Sequence, residues 1–220
     1  MAGKYMNCSG TALCGVLTVE SGFGTGYYNH STPAVHGLWP EVGGFGSSAC
    51  VAPADTTPPA TLFPCYVGSD PVHQLQFEQH EWSKHGICSG TANATDFFSQ
   101  ICSLAEAPLA LMAKKRATGT KETAAFAQAL QVAGYPVWNT MDDGQVELSA
   151  CADAHGKWKL GPLSDFVSLC GSGPPVPPAP PTPERCVPNV HGPPCKADGD
   201  CTALPGCVRC AHSGFCTDEP

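Results

Sequence analysis

The chain has 220 residues, 42% of them hydrophobic and 14% charged, which is enough apolar content for one sizeable core and for one to two domains. Fourteen Cys, an even number, point to an oxidising compartment, and those of the first 170 residues, scattered at long, irregular spacings, favour disulfides. No apolar run approaches the ~20 residues of a membrane span, so no membrane partner is expected. A formal charge of −8 argues against tight, sequence-independent nucleic-acid binding, which rests on Lys and Arg neutralising phosphates. It does not exclude an enzyme that turns nucleic acid over. The eight His would bring the net charge to about zero near pH 5, predicting better function in a mildly acidic setting.

Leu13 to Glu20 reads as a β-strand that runs into a Gly-rich turn, Ser21 to Gly26. Ala34 to Trp39 reads as a second strand carrying His36. Residues 41–74 are loop-rich, with Cys50 and Cys65 as staples. Helices are expected over Leu75 to His85, Asp96 to Lys115 and Thr120 to Ala133. In the second of these, Phe97, Phe98, Ile101, Leu104 and Leu111 form a core-facing stripe, and Pro108 is a point at which it can kink. Gly144 to Ala154 reads as a strand with alternating Val146 and Leu148, and Asp165 to Leu169 as a closing strand or turn. Strands separated by a block of helices predict an α+β fold with a central antiparallel sheet and packed helices, over residues 1–171.

From Gly171 the composition changes. Residues 172–184 are rich in Pro and should form an extended polyproline II spacer, about 30 Å for ten residues. Residues 185–220 contain Cys186, Cys195, Cys201, Cys207, Cys210 and Cys216, separated by eight, five, five, two and five residues. A segment this short needs covalent staples, and sequence alone allows fifteen connectivities for six Cys. Sequons at Asn7, Asn29 and Asn93 agree with secretion. No secretory leader is visible, and Met1-Ala2-Gly3-Lys4 reads as the start of a trimmed or expressed mature chain.

The chemistry concentrates in His80-Glu81-Trp82-Ser83-Lys84-His85-Gly86-Ile87-Cys88. On a helix, with about 100° per residue, His80, Lys84, Glu81 and His85 fall at about 0°, 40°, 100° and 140°, on one face, while Trp82 points away towards a core. One alternative is a solvated face with two i,i+4 pairs, His80/Lys84 and Glu81/His85. A second is zinc. The His-Glu-x-x-His hydrolase signature needs its His at i,i+4, whereas these are five apart with a lysine ammonium between them. What remains is metal-free acid/base chemistry, which needs a second proton carrier. His36-Gly37-Leu38-Trp39-Pro40 supplies one.

Together, His-Gly-Leu-Trp-Pro and His-Glu-Trp-x-Lys-His-Gly-x-Cys resemble the two signature segments of the ribonuclease T(2) family, secreted transferase-type endoribonucleases that include the plant S-RNases. The resemblance covers roughly residues 5–171. It implies cleavage of single-stranded RNA to a 2′,3′-cyclic phosphate and then a 3′-phosphate, with no metal or cofactor. It assigns His85 as general base, His36 as general acid, and Lys84 and Glu81 as stabilisers of the pentacoordinate phosphorane, with His80 binding phosphate. Lys84 acts by charge. An ionised Glu81 cannot stabilise an oxyanion, so Glu81 either donates a proton-bearing contact or orients Lys84 or a histidine. Trp39 would stack on the base 5′ to the cut, a contact worth ~1–3 kcal/mol, Phe45 would close that pocket, and Phe77 would serve the following base. For these three aromatics core packing is the alternative. The chain departs from the family in carrying Thr18-Val19-Glu20 where the first strand usually leads into Gln-Trp-Pro, and Glu41 where many relatives carry Asp. The family pattern supports Cys50–Cys88 and Cys151–Cys170, leaving Cys8, Cys14, Cys65 and Cys102, paired by proximity as 8–14 and 65–102.

The C-terminal run Cys-Lys-Ala-Asp-Gly-Asp-Cys…Gly-Cys…Gly-Phe-Cys resembles the knottins, especially squash-type protease inhibitors. That resemblance implies Cys186–Cys207, Cys195–Cys210 and Cys201–Cys216. Squash inhibitors present Arg or Lys two residues after the first Cys, and here the residue is Pro188, so trypsin inhibition is not expected. Binding of a carbohydrate, a surface or an unidentified protein, or protection of the C-terminus, fits at least as well. The expectation is a monomeric, secreted enzyme, extracellular or in a lysosome- or vacuole-like acidic compartment. Its rivals are a catalytically idle binding or inhibitor protein and, more distantly, a zinc hydrolase.

Overall fold

In the computed structural model, residues 5–68, 70–141, 143–173, 195, 198–201, 206–210 and 216–217 are described. The chain divides into two compact units, the larger being Tyr5–Val176. Its spine is β1, Leu13–Glu20, buried along all eight residues. β1 pairs antiparallel with β2 (Ala34–Pro40) on one side and β4 (Gln145–Ala152) on the other. β3 (Val137–Met141) and β5 (Trp158–Leu160) both pair with β4, giving a five-stranded antiparallel sheet. The mixed α/β class with an antiparallel sheet is therefore as the sequence pattern predicts.

Strand alternation sorts β1 into two faces. Leu13, Leu17 and Val19, with Val35, Leu38, Val146 and Leu148, face a core that also contains Phe97, Phe98, Ile101, Ala105 and Met112 of α2 (Ala94–Ala117) and Phe126 and Leu130 of α3 (Thr123–Val132). Cys14 and Val16 lie in a second cluster with Met6, Cys151 and Phe166, against which Trp39 and Trp138 pack. Thr18, Glu20, Gln145, Glu147 and Ser149 are polar yet buried. A sheet face that buries this many polar groups needs partners for them, and much of the site is made there.

α1, Pro71–Lys84, begins four residues earlier than the apolar pattern suggests. Asp70 caps it, its carboxylate accepting from the Val72 and His73 N–H groups, and Pro71 takes the first turn, where no N–H is needed. α2 is capped by Asn93, whose Oδ1 accepts from Asp96 N at 2.9 Å. The helix runs on through Pro108, which is buried within it. The predicted closing strand or turn at 165–169 is instead a short helix, α4, Phe166–Cys170, entered through a 3-10 turn and tied to β4 by Cys151–Cys170. β3 and β5 are additional to the predicted elements.

Cys8–Cys14, Cys50–Cys88, Cys65–Cys102 and Cys151–Cys170 are joined in the larger unit. In the smaller unit, Cys195–Cys210 and Cys201–Cys216 are joined, and β6 (Arg209–Cys210) pairs antiparallel with β7 (Cys216–Thr217). Cys186 and the spacer from residue 174 to 184 lie outside the described residues. No helix among the described residues is long and apolar enough to cross a membrane. Together with the disulfides, this is compatible with a secreted protein.

Candidate active site

The site forms where the C-terminal end of α1 meets β2. Between Thr18 and Val19 the β1–β2 pairing slips by one residue: Val19 faces Val35 but Thr18 faces Gly37, leaving His36 as the extra residue. In an unbroken strand, His36 and Trp39, three apart, would point to opposite faces. The bulge resets the alternation. Val35 and Leu38 stay in the helical core, while His36 and Trp39 both reach Glu81.

Glu81 approaches β2 closely because Gly37 has no side chain. A Cβ at residue 37 would overlap Glu81 Oε2 and lie 2.7 Å from Trp39 Nε1. Glu81 is 1% exposed. Its Oε2 accepts the Trp39 indole N–H at 2.9 Å, and its Oε1 lies 3.6 Å from His36 Nε2. Burial lifts the Glu81 carboxyl to about 7, against the opposing pull of His36 and the Trp39 N–H, with Glu20 adding to the rise. The raised carboxyl favours the neutral acid, which can donate a hydrogen bond, and its Oε2 orients Trp39.

His36 is held from several sides. Its Nδ1 lies 2.7 Å from Glu20 Oε1, Tyr28 stacks on it at 5.6 Å, and Trp39 and Phe77 meet it edge-on at 5.0 and 5.1 Å. Burial alone would lower its pKa, but the Glu20 hydrogen bond and the charges of Glu81 and Glu20 hold it above the ordinary imidazole value. Its side chain keeps 11% of its surface accessible. His85 caps the C-terminus of α1, its N–H donating to the Glu81 carbonyl at 2.9 Å. Its ring stacks on Trp39 at 5.4 Å. One indole thus meets one imidazole perpendicular to it and another stacked on it, and the two histidine rings can be no further apart than those two separations combined.

The predicted polar face of α1 divides by burial. Glu81 and Trp82 are buried, Lys84 and His85 half-buried and His80 exposed. Trp82 points into the core as predicted, donating to Thr56 O at 2.9 Å and packing on Phe97. Lys84 is in the last turn of α1. Phe77, one turn before Glu81, touches both His36 and Tyr66 while packing against the core. Phe45 is half-buried in the turn after β2, where its carbonyl accepts from Met6 N. Earlier in the same turn, burial and the negative charge of Glu147 lift Glu41 to about 8.

Sequence reasoning missed Glu20, Tyr28 and His30. Glu20, 6% exposed, bonds His36 with one oxygen and His30 Nε2 with the other at 2.8 Å. Burial would raise its pKa, but the hydrogen bonds and charges of the two His hold it below the ordinary carboxylate value. An ionisable residue ending an otherwise uncharged strand was the available signal. The loop between β1 and β2, which carries Tyr28 and His30, is itself fastened at its Gly-rich start by Arg116 near the end of α2. The Arg116 guanidinium lies 3.7 Å over the Phe23 ring and donates to Ser21 O.

Among the described residues, the His, Cys, Asp or Glu groups close enough to share a cation are Cys195, Cys201 and Cys210, whose sulfurs are engaged in disulfides. Searches of known protein families, of curated proteins and of solved structures find no match for the chain.

Proposed function

We propose that the larger unit is a metal-independent endoribonuclease of the ribonuclease T(2) type, acting on single-stranded RNA in a secreted or acidic setting. The observation that carries this reading is the pair of imidazoles, His36 from a strand and His85 from a helix end, meeting one indole. RNA supplies its own nucleophile. His85 takes the proton of the ribose 2′-OH as the 2′-oxygen bonds to phosphorus. His36 Nε2 gives its proton to the departing 5′-oxygen as the P–O5′ bond breaks, leaving a 2′,3′-cyclic phosphate. Water then opens that ring with the two roles exchanged, giving a 3′-phosphate. The raised pKa of His36 suits an acid, and a protonated Glu81 can donate to a phosphorane oxygen alongside the Lys84 charge. Trp39, fixed by Glu81, is the platform for the base 5′ to the cut, and His80 a phosphate contact. Phe77, edge-on to His36, serves the following base, and Phe45 closes the pocket over Trp39.

For the smaller unit we propose a knottin-like module that binds a protein or carbohydrate partner. Its joined pairs, Cys195–Cys210 and Cys201–Cys216, are two of the three that this reading calls for.

The test is cleavage of a dinucleoside monophosphate by the full chain in EDTA. Cyclic phosphate should appear, and His36→Phe and His85→Phe should each lose about 10²–10⁴-fold in rate. No product from the parent would leave a binding scaffold as the reading, and product lost only on chelation would point to a metal hydrolase.

A further inference from the structure

Glu20 is a buried carboxylate held between two imidazoles, and the acid/base scheme above gives it no role. Its Oε1 lies 2.7 Å from His36 Nδ1 and its Oε2 2.8 Å from His30 Nε2. The other ring nitrogen of His30 contacts the Thr32 carbonyl, so His30 is gripped at both ends. We infer that Glu20 is the positioning residue of His36, and that His30 fixes Glu20 in turn, so that the proton His36 exchanges sits on Nε2. The inference deepens the nuclease reading and rests on it for its kinetic consequence.

The argument is one of donors and acceptors. A carboxylate only accepts, so the nitrogen facing it must carry a hydrogen. Nδ1 of His36 is therefore protonated whether the ring is charged or neutral. The hydrogen that comes and goes is on Nε2, the nitrogen turned toward Glu81 at 3.6 Å. A ring turned by 180° would place Cε1 toward Glu81 and Cδ2 toward Glu20, so neither carboxyl would meet a nitrogen. Flipping is opposed by Tyr28 stacked on the ring and by the edges of Trp39 and Phe77. The charged or titratable groups facing His36 are Glu20 from β1, Glu81 from α1 and Tyr28 from the turn before β2, with His30 acting through Glu20.

The tautomer of His36 reports whether Glu20 holds Nδ1 in solution, and nitrogen-15 NMR of the imidazoles in the full chain reads it; the turnover number against KM then separates positioning from a merely structural pair. In alkaline solution the parent should show His36 as the Nδ1–H tautomer. A parent showing Nε2–H overturns the proposal on its own, even if no variant folds. In Glu20→Gln the amide NH₂ can face Nδ1, so the tautomer should switch to Nε2–H and the titration midpoint should fall. The turnover number should drop by about ten- to a hundredfold, the worth of one charge-assisted hydrogen bond, with KM little changed. His30→Gln, which keeps the Glu20–His36 bond, should lose less, and Glu20→Asp should restore the parent tautomer. Glu20→Gln with tautomer and midpoint unmoved overturns the proposal. The NMR readings need no turnover, so a parent that fails to cleave RNA removes the nuclease reading while the placement of the His36 proton is still decided.

Discussion

Gly37→Ala probes the closest approach in the site. The new methyl would overlap Glu81 Oε2 and stand 2.7 Å from Trp39 Nε1 and 3.1 Å from Glu81 Cδ, inside the bond that joins them. Glu81 has little room to retreat. Its own carbonyl is bonded to His85 N, and the next residue, Trp82, is anchored in the core. Overpacking of this kind costs about 1–3 kcal/mol. Loss of the buried Trp39–Glu81 hydrogen bond adds roughly 1–3 kcal/mol. A total near 2–6 kcal/mol should lower the melting temperature by about 4–24 °C in a chain of this size, at about 2–4 °C per kcal/mol. Melts of the disulfide-intact parent, Gly37→Ala, Glu81→Ala and the double variant form the assay. With the Glu81 carboxyl gone the methyl has space, so Gly37→Ala should cost at least about 1 kcal/mol less in that background. Equal cost in both backgrounds, or no cost in the parent, would refute the claim that Gly37 exists to admit Glu81.

Glu41→Gln tests the alkaline side of stability. A carboxyl raised from 4.5 to about 8 contributes stability that is fully present below pH 4.5 and lost as pH rises through about 8. The parent should therefore melt higher at pH 5 than at pH 8, and Glu41→Gln should narrow that gap; Glu78, Glu81, Glu147 and His36, raised in the same sense, keep it from closing. Asp70→Ala removes the α1 cap and should cost about 1 kcal/mol in urea unfolding, without changing the proposed activity of the folded protein.

β1 could be read in the sequence to the residue, because an apolar strand ending in a Gly-rich turn leaves little choice. The early start of α1 was also legible, through Asp70 and Pro71, to a reader weighing caps above apolar spacing. α4 was not. Phe-Val-Ser-Leu-Cys has strand-like propensity, and burial of Phe166 with the link to Cys151 decides for helix. β3 is five residues of half-exposed Val-Trp-Asn-Thr-Met, and β5 only three, too short for a period to show. At the site, the two motifs located His36, Trp39, Glu81 and His85. The partnership of Glu20 with His36 depends on a slip in strand register that local pattern does not encode. The bond from Trp39 to Glu81 is a further contact that the motif alone did not suggest.

The hold of Arg116 on Phe23 and Ser21 gives the far end of a 24-residue helix a say in the loop that roofs His36. That loop turns on Gly22, at φ +77°, where any side chain would collide with the guanidinium and with His30. Fraying of the last turn of α2 would therefore loosen Tyr28 and His30 together, so that the packing around His36 depends on the integrity of a distant helix terminus.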